Sequence, residues 1–241
     1  MKIDEISTSK TIIKHSKSVI DDKLNVPDDC PMPNKCSVIV VSGAMGSGKS
    51  AFLSSMFCSK GNGRIYNNTF EHIHYVTPLE TFESEENHPF KDHNKSRLHH
   101  ELTTGILNQI AEDAIEIKHE KGNTALIIDD FSENLKDKKI ENALRRLIHK
   151  HRHMKLLICI SLLTLKSLPR SLRTLIDCYV IFKPKSLIEI QVFAEEVFSL
   201  SKPDLKSLFD YVFDKQYNFL LYDQRLNLYH KNFNLLRLNE E

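Results

Sequence analysis

The feature that most constrains this chain lies at residues 43–50, where Gly43, Ala44, Met45, Gly46, Ser47, Gly48, Lys49 and Ser50 match the pattern G-x-x-x-x-G-K-[ST]. The match follows directly on residues 37–41 (Ser-Val-Ile-Val-Val), a β-branched run of the kind buried on both faces of a parallel sheet. It leads into a helix-like segment from Lys49 to about Cys58. Strand, glycine loop and helix in that order make a phosphate cradle. Glycines let the backbone wrap a phosphate closely enough for successive N–H groups to donate to it, and the helix turns its positive end toward the same charge. The chain has seven glycines, and three of them fall in this window. Lys49 is expected on the β- and γ-phosphates and the Ser50 hydroxyl on Mg²⁺, with Ala51 completing the nucleotide-binding stretch. ATP and Mg²⁺ are therefore the expected ligands.

A second half-site stands at residues 126–130 (Leu-Ile-Ile-Asp-Asp), where an apolar strand ends in two carboxylates. Strand tips of this kind emerge at the sheet edge where α/β proteins bind ligands. Asp129 is expected to hold the magnesium ion, directly or through water. Asp130 is expected to orient and deprotonate the attacking water, the requirement that separates a hydrolase from a mere binder. The bland alternative is that Asp130 caps the next turn. No N-K-x-D pattern follows, which disfavours a guanine-specific site, and nothing resembles a nucleotide-kinase lid with paired arginines.

Further apolar runs at residues 72–76, 124–128, 156–162 and 178–182 alternate with segments of helical period. One carries Ile106, Leu107, Ile110, Ala111 and Ala114, and the next Ile140, Ala143, Leu144, Leu147 and Ile148. Alternation of this kind predicts an α/β fold with a mostly parallel central sheet covered by helices on both faces. Residues 186–200 and 204–214 read as helices. Residues 218–222 and 227–229 read as a short C-terminal hairpin around Asp223, Gln224 and Arg225. Residues 1–34 are polar, end in Pro27, Pro31 and Pro33, and are read as an arm ahead of one ATPase domain at 35–241. Residues 80–95 are read as a solvated loop.

The 33 basic and 32 acidic residues leave a formal charge of +1, so any DNA contact is expected from a local patch. Five cysteines at irregular spacing predict buried thiols in a reducing compartment. No apolar stretch approaches the ~18 residues of a membrane span, and residues 1–22 are charged throughout, so a soluble protein is expected. The run His149-Lys-His-Arg-His153 invites a metal reading. Alternating histidines at a helix end would face different ways, however, and a basic edge on DNA phosphates fits better.

Taken with the two acidic and glycine motifs, residues 152–164 (Arg-His-Met-Lys-Leu-Leu-Ile-Cys-Ile-Ser-Leu-Leu-Thr) and 168–173 (Leu-Pro-Arg-Ser-Leu-Arg) resemble the FtsK/HerA superfamily, especially the genome-packaging ATPases of poxviruses, virophages and Polinton-like elements. The ending Tyr229-His-Lys-Asn232-Phe233 is similar to theirs. The resemblance covers roughly residues 33–233. It implies ATP-driven translocation of double-stranded DNA into a capsid by a homo-oligomeric ring, with capsid proteins as possible partners and the virion or the host-cell cytoplasm (a viral factory) as its location. It also implies that Arg152 reaches the ATP of the neighbouring subunit as a catalytic arginine, with Arg170 and Arg173 as second choices and Arg145 and Arg146 on a solvated helix face. At the family's usual sensor glutamine this chain has Leu163, so Ser161 or Thr164 would have to substitute. Two other readings remain beside the motor: another P-loop enzyme, such as a helicase-like ATPase or a nucleotide kinase, and a non-hydrolysing nucleotide-gated scaffold.

Overall fold

The computed structural model describes residues 23–57, 65–84, 88, 90–198 and 200–238; the expectations for residues 1–22, Cys58, Glu85 and Glu86 lie outside them. The strands are β1 (Val38–Ser42), β2 (His72–Val76), β3 (Leu98–His99), β4 (Thr124–Asp129), β5 (Leu156–Leu162), β6 (Cys178–Phe182), β7 (Phe219–Asp223), β8 (Leu228–Lys231) and β9 (Asn234–Leu236). The helices are α1 (Lys49–Phe57), α2 (Leu79–Ser84), α3 (Thr104–His119), α4 (Lys138–Lys150), α5 (Arg170–Arg173), α6 (Leu187–Glu196) and α7 (Lys202–Val212).

All nine strands join one sheet in the order β3-β2-β4-β5-β1-β6-β7-β8-β9. The six from β3 to β6 run parallel, and β7, β8 and β9 extend the sheet, each antiparallel to the strand before it. The C-terminal hairpin is thus part of the main sheet, lengthened by β9. Two-residue β3 and three-residue β9 are too short to show a period, which is why pattern reading passes over them.

Residues in the central strands alternate between two cores because the side-chain period of a strand is two. Val38, Val40, Leu126, Ile128, Ile158 and Ile160 pack with α3, α4, α6 and α7 on one face. Ile39, Val41, Ala125, Ile127, Leu157 and Cys159 pack on the other with α1 and with Leu24, Met32 and Cys36. Among the described cysteines, Cys36, Cys159 and Cys178 are buried and Cys30 is half-buried.

Residues 80–95 depart from the expected solvated loop. They begin within α2, and Phe90 is buried with its ring stacked on Tyr75 at 4.3 Å. The aromatic residues of this segment cover the end of β2, a payload that its acidic composition hides.

Candidate nucleotide site

Strand order decides what meets at the glycine loop. β5 lies between β1, which leads into the loop, and β4, which ends in the aspartate pair. In register, Ser161 of β5 stands level with Val41 on one side and Asp129 on the other. Val41, Ser161 and Asp129 therefore share the α1 face of the sheet, directly below the loop.

The loop's glycines have distinct geometric reasons. A Cβ on Gly43 would lie 2.7 Å from both Phe182 Cβ and Ser47 Oγ, so only glycine fits the crossing over β6. Gly46 and Gly48 have φ of 72° and 106°, the left-handed region that side chains disfavour. Met45 and Ser50 are exposed and Ala44 is half-buried; Ala51, at the third position of α1, is exposed. Lys49 Nζ donates to the carbonyls of Gly43 at 2.6 Å and Ala44 at 3.1 Å, which holds the ammonium against its own loop. Burial lowers the Lys49 pKa, and the charges of Asp129 and Asp130 oppose that shift.

Three observations test whether these residues suit a bound triphosphate. Ser47 Oγ is buried without a hydrogen-bond partner, and open space surrounds Gly46. The first-turn N–H groups of α1 also lack intrahelical acceptors. Oxyanions at the loop mouth would satisfy all of these donors, so the residues fit the ligand. Beside the loop, Phe182, Lys183, Lys185, Lys215 and Tyr217 line a cleft of about 660 Å³.

Asp129 is buried, and Tyr75 Oη donates to its Oδ2 at 2.9 Å. His88 Nε2 in turn lies 3.3 Å from Tyr75 Oη. Asp130 is exposed, at φ 61°, and its Oδ2 accepts from Thr81 Oγ1 of α2 at 3.1 Å. Neither Tyr75 nor Thr81 was singled out in the sequence, because each is an ordinary residue brought to the carboxylates only by the pairing of β2 with β4. Of the three sensor positions, Leu163 is exposed beyond the strand, and Thr164 Oγ1 pairs with Ser167 Oγ at 3.2 Å. Ser161 Oγ is buried, level with Asp129, and has no partner.

Arg152 lies before β5, at the sheet edge opposite the loop. A seven-residue strand separates the two edges, about 20 Å at the usual rise, so this guanidinium is out of reach of its own Lys49. It sits 3.3 Å from Asp177 Oδ1. The other oxygen of Asp177 accepts from the backbone N–H of Val38 at 2.8 Å, which ties Arg152 to the first residue of β1. His149, His151, Arg152, His153 and Arg225 line a cleft of about 510 Å³ at this edge. His149 and His153 are exposed, whereas His151 is buried and donates to the Ile148 carbonyl. Arg173 is committed within its chain, donating to the carbonyls of Leu168 and Lys166 and to Glu196. Arg170 is exposed, as are Arg145 and Arg146 on α4.

A family model described as Poxvirus A32 protein matches residues 32–216. Among solved structures, the DNA-packaging ATPase B204 from Sulfolobus Turreted Icosahedral Virus superposes with a TM-score of 0.61 at 17% identity, over 86% of this chain and 100% of that one. The genome packaging NTPase B204 from Sulfolobus turreted icosahedral virus 2, in complex with ATP-gammaS, gives 0.59 at 18% identity over 83% and 98%. ATPases 2 and 3 of Thermomonospora curvata EccC give 0.52 at 12% identity over 84% of this chain and 37% of that one. At these identities the likeness is one of fold. No curated protein matches the chain.

Proposed function

The chain belongs to the poxvirus A32 protein family, and on that premise we propose that it is an ATP-hydrolysing motor that translocates double-stranded DNA to package a viral genome. The observation that carries this reading is that three adjacent parallel strands bring the glycine loop after β1, Ser161 of β5 and the Asp129–Asp130 pair at the end of β4 to one edge of the sheet, with the hydroxyls of Ser47 and Ser161 buried and unpartnered. The B204 structures, described as those of a genome packaging NTPase in complex with ATP-gammaS and with AMPPCP, support the ligand class.

In this reading Gly43 to Ala51 hold the nucleotide, with Lys49 on the β- and γ-phosphates. Ser50 and Asp129 would hold Mg²⁺, which supplies positive charge to the phosphate oxygens. Asp130 accepts a proton from water as its oxygen bonds to the γ-phosphorus; the bond from that phosphorus to the bridging oxygen breaks, and ADP and phosphate leave. Ser161 takes the place of the family's glutamine in sensing the γ-phosphate. Arg152 acts on the neighbouring subunit's nucleotide in a homo-oligomeric ring, because it stands too far from its own. Residues 35–241 form the motor, with Leu24 and Met32 of the segment before it packed into the core beside α1. The setting is a viral factory or the virion, in keeping with described residues that include no helix long and apolar enough to cross a membrane.

The test is ATP hydrolysis with and without double-stranded DNA, on material whose oligomeric state has been measured. Stimulation by duplex DNA, abolished by Lys49→Ala, supports the motor. Phosphoryl transfer to a nucleotide would establish a kinase instead, and nucleotide binding without turnover would establish a scaffold.

A further inference from the structure

The second cluster of chemistry-bearing residues lies away from the nucleotide. His72 and His74 alternate with Ile73 on β2, so both imidazoles face the same side of the sheet as Val76, the side covered by α3. Asp113 of α3 meets them there. His72 Nδ1 stands 2.7 Å from Asp113 Oδ2, and His74 Nε2 stands 2.9 Å from the same oxygen. All three potential ligand atoms lie within 4.8 Å of one another, the only such grouping of His, Cys, Asp and Glu among the described residues.

We propose that His72, His74 and Asp113 bind a first-row divalent cation of zinc type. Two imidazoles and one carboxylate make the mixed nitrogen and oxygen set that such ions prefer over Mg²⁺ or Ca²⁺, which take oxygen. A tetrahedral zinc with bonds of about 2.0–2.1 Å keeps its ligand atoms about 3.3 Å apart. The present spacings need only a small outward movement to reach that. His72 and Asp113 are partly exposed, which leaves a path for the ion and a fourth position for water.

The surroundings are arranged as a metal site requires. A ligating histidine donates its other ring N–H to an acceptor, which fixes the tautomer. His74 Nδ1 lies 3.1 Å from His99 Nε2, and the two rings are stacked. Metal on His74 Nε2 selects the form in which Nδ1–H donates to His99. His72 is different, because the Arg97 guanidinium contacts its Nε2. With a metal on Nδ1 that nitrogen carries a proton, so two donors would face each other and Arg97 must swing into solvent. Arg97 therefore competes with the ion. The bound cation joins β2 to α3, and β2 also carries Tyr75, the partner of Asp129.

The experiment titrates Zn²⁺ into the chelator-stripped full chain in saturating Mg²⁺, with Co²⁺ absorption as a second readout of ligand type. Wild type is expected to bind one Zn²⁺ per chain and to gain thermal stability. Asp113→Asn and His74→Gln should each weaken binding at least tenfold, Arg97→Ala should tighten it, and the double change His149→Gln/His153→Gln should leave it unaltered. Should His74→Gln fail to fold, Asp113→Asn and Arg97→Ala, both at partly exposed side chains, still decide the question. Absence of saturable one-to-one binding, affinity indifferent to Asp113→Asn, or loss of binding with the His149 and His153 changes would each overturn the site. None of these outcomes depends on whether the nucleotide is hydrolysed.

Discussion

Two adjacent aspartates at the end of β4 meet different surroundings. Asp129 is buried and holds a hydrogen bond from Tyr75, whereas Asp130 is exposed in a left-handed conformation with Thr81 beside it. A group that positions an ion benefits from being fixed, and a group that takes a proton from water must face water. Asp130→Asn is expected to keep Mg²⁺-dependent ATP binding and to lose about 10²-fold or more in turnover, while Asp129→Asn shifts the Mg²⁺ requirement upward. Magnesium titrations of both variants separate the roles, and identical curves would remove the distinction. Thr81→Val should lower kcat with little change in nucleotide affinity, since Thr81 touches Asp130, the proposed base, and not the phosphate loop. A change confined to affinity would mean that Thr81 merely anchors α2. The glycine loop and both carboxylates are legible in the sequence because their spacing is local. Tyr75 and Thr81 are not, because they reach the carboxylates only through strand pairing.

The C-terminal strands show why an ending that carries no catalytic group matters to the loop. Asn232 turns the chain between β8 and β9 at φ 55°, accepts from the Phe219 N–H at 3.0 Å and donates to Asn218 at 3.0 Å. Phe233 then lies against Phe52 of α1 and Phe219 of β7, with ring centroids 6.5 and 5.4 Å apart. Tyr229 stacks on Tyr222 at 4.6 Å. The ending thus braces the helix that carries Lys49. Asn232→Ala should cost about 2 kcal/mol from two lost hydrogen bonds and the strained backbone, read by urea denaturation; a loss within error of zero would contradict the brace. At this scale the sequence is most informative where burial is complete on both faces. The ranges of β5 and β6, buried along their whole length, follow directly from their apolar runs. The helix at Leu79–Ser84 buries no residue, so no apolar stripe marked it, and the neighbouring Phe90 gave a single aromatic without a period.

The molecule as a whole has two working edges. Lys49 and the aspartates occupy the C-terminal edge of the parallel strands, and Arg152 with its partner Asp177 occupies the other. In the proposed ring, the far edge of one subunit is brought to the nucleotide edge of its neighbour. Mixing Lys49→Ala and Arg152→Ala subunits should therefore restore part of the activity that each variant lacks alone, since some interfaces then pair an intact loop with an intact arginine. Such arginines are worth about 10³–10⁵ in rate, so a minority of restored interfaces is measurable. Mixed rings without rescue would give Arg152 a structural role through Asp177 and Val38. The edge that carries the loop and the aspartates is legible in the sequence, whereas the pairing of Arg152 with Asp177 at the other edge is a property of the fold.

Translocation is tested most directly by displacement of a triplex-forming strand from duplex DNA, followed in the presence of ATP and Mg²⁺. The motor reading predicts displacement by the wild-type oligomer without separation of the duplex strands, and none by Asp130→Asn although that variant still binds nucleotide. Steady ATP turnover with the triplex left in place, or unwinding of the duplex itself, would contradict it.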